Sequence, residues 1–184
     1  MIFKERNIKG VFEIILSPRN DNRGFFMRTF DDAAFKENGL DRNWVQENHS
    51  RSENKGIIRG LHFQLPPFSE TKMVRCINGS VLDVFVDLRK DSETFGQWDS
   101  IELSADNKKM IHIPRGFAHG FCTLTETSEV VYKVDNFYSP ENERGLLWND
   151  KTIGINWPTD TPILSAKDEK NMTLEEFKTE YKHI

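Results

Sequence analysis

A β-strand is predicted by the stretch Gly56-Ile57-Ile58-Arg59-Gly60-Leu61-His62-Phe63-Gln64, because β-branched and aromatic residues run here between turn signals. Alternate residues of a strand face opposite sides of a sheet, so His62 and Gln64 share one face while Leu61 and Phe63 share the other. One face is therefore apolar, and the other carries an imidazole and an amide. A strand that only packs has little use for such groups, so His62 is the candidate reactive residue.

Short strand-like runs separated by turn residues follow one another along most of the chain. They lie at residues 11–16, 24–30, 44–50, 71–78, 81–88, 98–103, 109–113, 120–124 and 129–134. The run 81–88 alternates aliphatic residues with a face that holds Asp83 and Asp87, which predicts one core face and one carboxylate face. Helices are predicted only at the edges, over 31–38 and 173–181. This pattern predicts an all-β sandwich or barrel, and a jelly roll fits it best.

Composition places the chain among ordinary globular proteins. Its 184 residues, 37% hydrophobic and 29% charged, are enough for a single domain, expected to span 1–184. The net charge of -4 gives no electrostatic basis for binding nucleic acid or an anionic membrane, so neither partner is expected. Cys76 and Cys122 lie in apolar runs, which favours free thiols in a reducing compartment. Because the N-terminus lacks an apolar core of signal-peptide length, a cytoplasmic location is expected.

Two of the five histidines, His62 and His119, stand out from the others. One is His119 in Ile113-Pro114-Arg115-Gly116-Phe117-Ala118-His119-Gly120-Phe121, where Pro and Gly set a tight turn before a strand. This Pro-x-Gly-x-x-His unit resembles the second motif of the cupin superfamily. Metal-binding cupins usually carry a His-x-His pair in their first motif, but His62-Phe63-Gln64 has one histidine, so acid–base catalysis without a metal is predicted. The remaining histidines are expected to be surface or core residues without a catalytic role: His49, His112 and His183.

Four segments together resemble the dTDP-4-dehydrorhamnose 3,5-epimerase family: residues 18–26, 46–50, 59–64 and 113–121. Further matches extend the likeness over nearly the whole chain, at 132–133, 135–140, 148–150 and 165–168. The resemblance implies a cupin-type jelly roll with a few short peripheral helices, a homodimer and no cofactor. It also implies an isomerase that inverts the carbons on either side of the 4-keto group of a dTDP-linked 4-keto-6-deoxyhexose.

Such an epimerisation needs three kinds of group. A base removes a hydrogen next to the ketone, a donor stabilises the enolate oxygen, and a second acid returns a proton from the opposite face. The resemblance implies His62 as the base, and histidine suits this role because its unperturbed pKa is about 6.5. It also implies Asp168 as the acid that orients the His62 ring. Tyr132 is implied as the proton donor on the opposite face, and Lys72 as the cation at the enolate oxygen. Without the family, these three would be a turn residue, a strand aromatic and a surface charge.

The resemblance further implies residues that bind the nucleotide and the sugar. They are Arg23, Phe26, Gln46, Asn48, Arg59, Asp83, His119, Glu143 and Lys167. Arg23 and Arg59 are the candidates for the diphosphate, because a guanidinium binds phosphate oxygens as a fork. Arg59 and His62 are three residues apart, and a regular strand would place them on opposite faces. Either Gly60 marks a β-bulge or Arg59 reaches another pocket at the subunit interface.

Arg28 departs from the family pattern, which usually has glutamate at this position to recognise the thymidine end. Arginine offers only donors and cannot accept the N–H of the base. Recognition of the base is therefore expected to differ, or to be rebuilt by Gln46 and its neighbours. The N-terminal segment is expected to exchange between subunits, and it holds three aromatic residues, Phe25, Phe26 and Phe30. Arg23 would then serve the partner's site.

Three other functions stay open on the sequence. An epimerase that inverts only C3 or only C5 of a related nucleotide-linked 4-keto sugar would show nearly the same motifs. A non-catalytic cupin that binds nucleotide sugars would bind dTDP without proton exchange, and the presence of both His62 and Tyr132 argues against it. A metal-dependent cupin oxygenase or isomerase would need more ligands than two distant histidines.

Overall fold

The computed structural model describes residues 1–184 and consists mainly of short strands. The strands are β1 (Ile2–Glu5), β2 (Phe12–Ile15), β3 (Arg19–Asp21), β4 (Gly24–Phe26), β5 (Gln46–Ser52), β6 (Ile58–Gln64), β7 (Lys72–Asn78), β8 (Ser80–Asp87), β9 (Trp98–Ser104), β10 (Lys109–Ile113), β11 (Phe117–Thr123), β12 (Ser128–Val134) and β13 (Glu143–Gly145). The helices are α1 (Asp32–Glu37), α2 (Leu174–Glu180) and a 3-10 turn at Asp168–Lys170. None of these helices is both long and apolar enough to cross a membrane.

Two large antiparallel sheets and one hairpin make up the β-structure. The larger sheet has six strands in the order β1-β2-β10-β7-β12-β5, and the other has five in the order β13-β6-β11-β8-β9. Strands β3 and β4 form the separate hairpin. Many neighbours are distant in sequence, as in a jelly roll, where the chain crosses between sheets. The prediction of an all-β jelly roll with short peripheral helices is confirmed.

The main hydrophobic core lies between the two large sheets. Val74 and Ile111 enter it from the six-stranded sheet, while Phe85 and Ile101 enter it from the five-stranded sheet. Burial of one such side chain stabilises the fold by about 1.5–3 kcal/mol, so this layer holds the sheets face to face. Tyr132 packs against the same cluster. The inner face of β12 therefore carries a phenol into the space between the sheets.

Each helix covers the outer face of one sheet. Phe177 of α2 packs in a cluster with Leu61 and Phe63 of β6, and Phe35 of α1 packs in a cluster with Met110 of β10. The helices begin as the sequence predicts. Thr173 and Glu176 form a capping box at α2, and the Asp31 side chain accepts a hydrogen bond from the Ala34 N–H at α1. The sheet faces away from the main core are thus shielded from water.

Strand β8 has the aliphatic face and the carboxylate face that the sequence predicts, and both faces are buried. Phe85 faces the core between the sheets, while Val84 and Val86 pack on the other side in the cluster that includes α2. Asp83 and Asp87 are both fully buried. The predicted carboxylate face is therefore present, and it is buried because the six-stranded sheet covers it. Asp87 is satisfied locally by nearby donors: Arg89, Ser92 and Thr94.

The N-terminal hairpin differs from the predicted turn and strand. Residues 19–21, expected to be part of a turn, form strand β3, and the strand expected over 24–30 ends at Phe26. Met27 and Phe30 instead pack against the outer core cluster beside α1, which draws the chain away from the hairpin. All residues of β3 and β4 are exposed. The hairpin therefore projects from the sandwich.

Both thiols are buried as predicted, and two of the three histidines that were given no catalytic role, His49 and His112, lie at the surface and in the core. Cys76 and Cys122 are free and buried. His49 is exposed, and its Nε2 lies 2.9 Å from Glu129 Oε2. His112 is fully buried, and burial together with the nearby Arg42 charge lowers its pKa to about 4. His49 thus lies at the surface and His112 in the core, but neither ring nitrogen of His112 has a hydrogen-bond partner, so the expected satisfied core histidine is not observed.

Candidate active site

A cavity of about 590 Å³ opens between the two sheets, a size typical of small-molecule sites. Strands from both sheets line it, together with the C-terminal segment 163–168. Most of the predicted site residues meet here: Arg59, His62, Lys72, His119, Tyr132, Glu143, Lys167 and Asp168. The fold thus joins residues that are more than a hundred positions apart in sequence.

A bulge between β6 and β11 turns Arg59 and His62 toward the same cavity. His62 pairs with His119, but Arg59 pairs with Phe121, so β6 carries one extra residue between the two pairs. Gly60 lies in this interval with φ at +123°, and a Cβ there would lie 2.7 Å from the Gly120 Cα. Only glycine fits such a backbone. Of the two alternatives drawn from the sequence, the structure has the bulge.

His62 is held by a buried carboxylate. Its Nε2 lies 2.6 Å from Asp168 Oδ1, while the ring keeps 30% of its surface exposed to the cavity. Burial acts to raise the pKa of Asp168, but the hydrogen bond and charge of His62, together with hydrogen bonds from Ser165 and Gly60, lower that pKa overall. The carboxylate therefore stays ionised and fixes the ring. A neutral ring that donates from Nε2 keeps the lone pair of Nδ1 free to accept a proton.

A second histidine–aspartate pair lies behind the first. His119 Nε2 is 2.9 Å from Asp83 Oδ2, and both side chains are almost entirely buried. The other oxygen of Asp83 has no protein partner. Asp83 does not line the cavity and reaches it only through His119.

The opposite sheet supplies an ammonium and a phenol. Lys72 Nζ lies 3.4 Å from the backbone oxygen of His62 and 3.3 Å from Glu70 Oε1. Burial is the main cause that raises the pKa of Tyr132, and the charges of Glu70 and Glu143 raise it further. The phenol therefore stays protonated at neutral pH. A proton acceptor, a proton donor and a cation thus line one cavity.

The far end of the cavity holds an aromatic residue that the sequence analysis did not single out. The Tyr138 hydroxyl donates to Glu143 Oε2 at 2.7 Å, and this bond is the main cause that raises the Tyr138 pKa to about 12. Glu143 also pairs with Lys167 Nζ at 2.6 Å. Gln46 accepts from the Tyr138 backbone N–H without lining the cavity. Tyr138 lies in the segment 135–140 that resembles the family, and this resemblance is the only feature of the sequence that points to it.

Besides Gln46 and Asp83, three further predicted binding residues do not line the cavity of this chain. Arg23 and Phe26 are on the projecting hairpin, with 85% of the Arg23 side chain and 69% of Phe26 exposed. Asn48 lies opposite Tyr132 in the β5–β12 ladder and so shares its face, but it is exposed. Arg28 follows the hairpin and pairs with Asp31, the cap of α1, at 2.8 Å. Within one chain, none of these residues lines the cavity.

The histidines of the cavity are not arranged as metal ligands. His62 and His119 face each other across the β6–β11 ladder, but each points its Nε2 at its own carboxylate. No group of three or more His, Cys, Asp or Glu side chains is placed to hold a metal ion. The arrangement instead suits proton transfer to and from a carbon next to a carbonyl group.

Known proteins are similar to this chain in both sequence and fold. A family model described as dTDP-4-dehydrorhamnose 3,5-epimerase matches residues 5–176. The enzyme of that name from Shigella flexneri is 52% identical over 158 residues, covering 84% of this chain and 87% of the relative. A crystal structure of the Bacillus anthracis epimerase with TDP and PPi bound has a TM-score of 0.92 and 44% identity, covering 94% and 99% of the two chains. The Legionella pneumophila dTDP-6-deoxy-D-glucose-3,5-epimerase, in complex with dTDP-4-keto-L-rhamnose, has a TM-score of 0.90 and 38% identity, covering 95% and 93%.

Proposed function

The chain belongs to the dTDP-4-dehydrorhamnose 3,5-epimerase family, and from that premise we propose how its residues act on a dTDP-linked 4-keto-6-deoxyhexose. It is an isomerase. The proposed reaction converts dTDP-4-dehydro-6-deoxyglucose to dTDP-4-dehydrorhamnose, in dTDP-rhamnose biosynthesis, without a cofactor. The observation that carries this proposal is His62, held by Asp168 at 2.6 Å in the cavity that Tyr132 and Lys72 also line.

Proton transfer begins at His62. The imidazole takes the proton from a carbon next to the keto group, the C–H electron pair forms the C–C double bond of the enolate, and the carbonyl π electrons move to oxygen. The Lys72 ammonium neutralises that oxygen, and His119 adds a polar contact near the sugar. Tyr132 then gives its proton to the same carbon from the opposite face, which inverts the centre. Exchange with solvent returns both side chains to their starting forms.

Binding of the nucleotide relies on cations at the rim of the cavity. Arg59 lines the cavity, held by hydrogen bonds from its guanidinium to Ser52 Oγ and to the Arg51 backbone oxygen. We assign it to the diphosphate, where its fork matches phosphate oxygens. Lys167 and Glu143 form an ion pair that also lines the cavity, and they are assigned to the sugar and nucleotide end.

Proton exchange with solvent tests the proposed function. The protein is incubated in D₂O with the dTDP-4-keto-6-deoxyhexose, and deuterium at C3 and C5 is followed by NMR. We expect both positions to exchange and both to invert. Exchange at neither carbon would overturn the epimerase proposal, and tight dTDP binding without exchange would point to a binding protein. Exchange confined to one carbon would identify a single-carbon epimerase.

A homodimer would bring the projecting hairpin to a cavity. The hairpin exposes a guanidinium and two aromatic rings, which belong to Arg23, Phe25 and Phe26. Exposed aromatic side chains of this kind are common at subunit interfaces. We propose a two-fold dimer in which each hairpin places Arg23 and Phe26 at the partner's cavity. Arg23 then joins Arg59 at the diphosphate.

Mixing two defective variants tests the shared site. Arg23→Ala should lower kcat/KM by about tenfold to a hundredfold, because a charge-assisted contact to phosphate is lost. A purified heterodimer of Arg23→Ala with His62→Asn then has one intact site and one doubly defective site. Its activity should recover to about half that of the wild type. A heterodimer as inactive as its parents, or a monomer by sedimentation, would contradict the proposal.

Two further assignments complete the proposed function. We place the protein in the cytoplasm, and the support is the pair of free buried thiols at Cys76 and Cys122. We also treat residues 1–184 as one functional domain. Its support is the position of the cavity, which needs strands from both sheets and the C-terminal segment together.

A further inference from the structure

Glu70 is a largely buried carboxylate beside the cavity that the proposed mechanism does not use. It lies two residues before Lys72, and 13% of its side chain is exposed. Its Oε1 is 3.3 Å from Lys72 Nζ, and its Oε2 accepts a hydrogen bond from Gln64 Nε2 at 3.1 Å. One carboxylate thus joins the cation of the cavity to the strand that carries His62.

Gln64 fixes the position of that carboxylate. It is 3% exposed and ends β6, two residues after His62. Its Nε2 also lies 3.0 Å and 3.1 Å from the backbone oxygens of Phe68 and Phe137, so its two N–H groups are shared among three acceptors, and its Oε1 accepts from the Ser139 N–H at 2.6 Å. An amide with both ends occupied has little freedom to move. Gln64 stands where metal-binding cupins have their second histidine, and here it anchors Glu70 instead.

We propose that Glu70 is a positioning residue, which aims the Lys72 ammonium at the enolate oxygen. The inference rests on the proposed function and deepens it. A lysine side chain has four rotatable bonds, and its ammonium would otherwise be free to turn away from the substrate. The contacts to Glu70 and to the His62 backbone oxygen hold it at one place. Misplacing a catalytic group by about 1 Å costs up to about a hundredfold in rate.

Glu70 also acts on the proton donor through its charge. After burial, it is the largest cause that raises the pKa of Tyr132, followed by Glu143, while Arg59 acts in the opposite direction. Glu143 is already paired with Lys167. The other charged or titratable groups that line the cavity are His62, Lys72, His119, Tyr138 and Asp168. Removing the Glu70 charge should therefore lower the Tyr132 pKa, so that the phenol loses its proton at lower pH.

Glu70→Gln tests both effects, since it keeps the shape and removes the charge. We expect kcat to fall by about tenfold to a hundredfold while KM changes little. The alkaline limb of the kcat profile should move to lower pH, because activity requires protonated Tyr132. Glu141→Gln is the matched control, because Glu141 accepts from Ser139 Oγ and has no contact with Lys72. Its rate and pH profile should stay as in the wild type.

A wild-type kcat in Glu70→Gln, or a fall in kcat matched by an equal rise in KM, would overturn the positioning role, and an alkaline limb that stays in place would overturn the charge effect on Tyr132. Glu70→Asp is the second variant, and it keeps the charge but shortens the reach to Lys72. It should lower kcat with an unchanged alkaline limb, and a wild-type kcat would equally overturn the inference. These outcomes are separable from the proposed function. A wild-type protein that exchanges no deuterium refutes the epimerase, whereas normal exchange with an unaffected Glu70→Gln refutes only the role of Glu70.

Discussion

His62→Asn should lower the rate of epimerisation by about a thousandfold to ten-thousandfold, the upper range for losing a general base. Asparagine retains an N–H that can approach Asp168 but has no nitrogen that accepts a proton near neutral pH. The His62 ring is part exposed, so the substitution removes little packing. Turnover should therefore be lost without loss of the fold. We expect the affinity for dTDP to change by less than about threefold, since the predicted phosphate contacts come from arginines.

Deuterium exchange measures this effect at each carbon separately. In D₂O, the variant should incorporate no deuterium at C3 or C5 over times in which the wild type exchanges fully. His49→Asn is the matched control, because this histidine is exposed and pairs only with Glu129, outside the cavity. If His62→Asn still exchanges one carbon at the wild-type rate, a second base serves that carbon. His119 would be the next group to replace, because Asp83 holds it as Asp168 holds His62.

The strand that carries His62 shows how far the sequence reaches. Its length and its inward histidine follow from composition and turn signals, and β6 spans residues close to those predicted. Its register follows only in part, because the glycine inside the strand offers a bulge at Gly60 as one of two alternatives. The extra residue at Gly60 depends on the close approach of Gly120 from β11, which a pattern of alternating residues cannot encode. The bulge brings Arg59 to the cavity, so the local pattern alone gives the wrong face.

Long-range contacts account for the other differences. The alternation in β8 correctly separates Asp83 from Val84, but it cannot show that both faces are covered. The outer cover is α2, about ninety residues later in the chain, and the inner cover is the second sheet. Glu70 and Tyr138 were missed for a similar reason, because each gains its importance from a partner on another segment. The family resemblance supplied the pairing of His62 with Asp168, which spacing could not.

Tyr132→Phe should lower net inversion by about a hundredfold or more, while some exchange remains at the carbon that His62 deprotonates. Phenylalanine keeps the ring that packs against the core, so only the donor O–H is lost. The enolate still forms, and His62 can return a proton or deuteron to the face from which it came. The product of that return has the original configuration. Exchange without inversion is therefore the distinctive result, and NMR of the sugar in D₂O reads both at once.

Inversion at the wild-type rate in Tyr132→Phe would show that another group protonates the opposite face. Tyr138 would then be the group to test, because its hydroxyl also lines the cavity. Its bond to Glu143 raises its pKa to about 12, which makes it a weaker acid for this step. Tyr181→Phe is the matched control, since its hydroxyl accepts from Arg144 Nε and lies outside the cavity. Each of the two changes removes one phenol oxygen, but only Tyr132 lines the cavity. Loss of inversion in Tyr132→Phe but not in Tyr181→Phe would therefore identify Tyr132 as the proton donor.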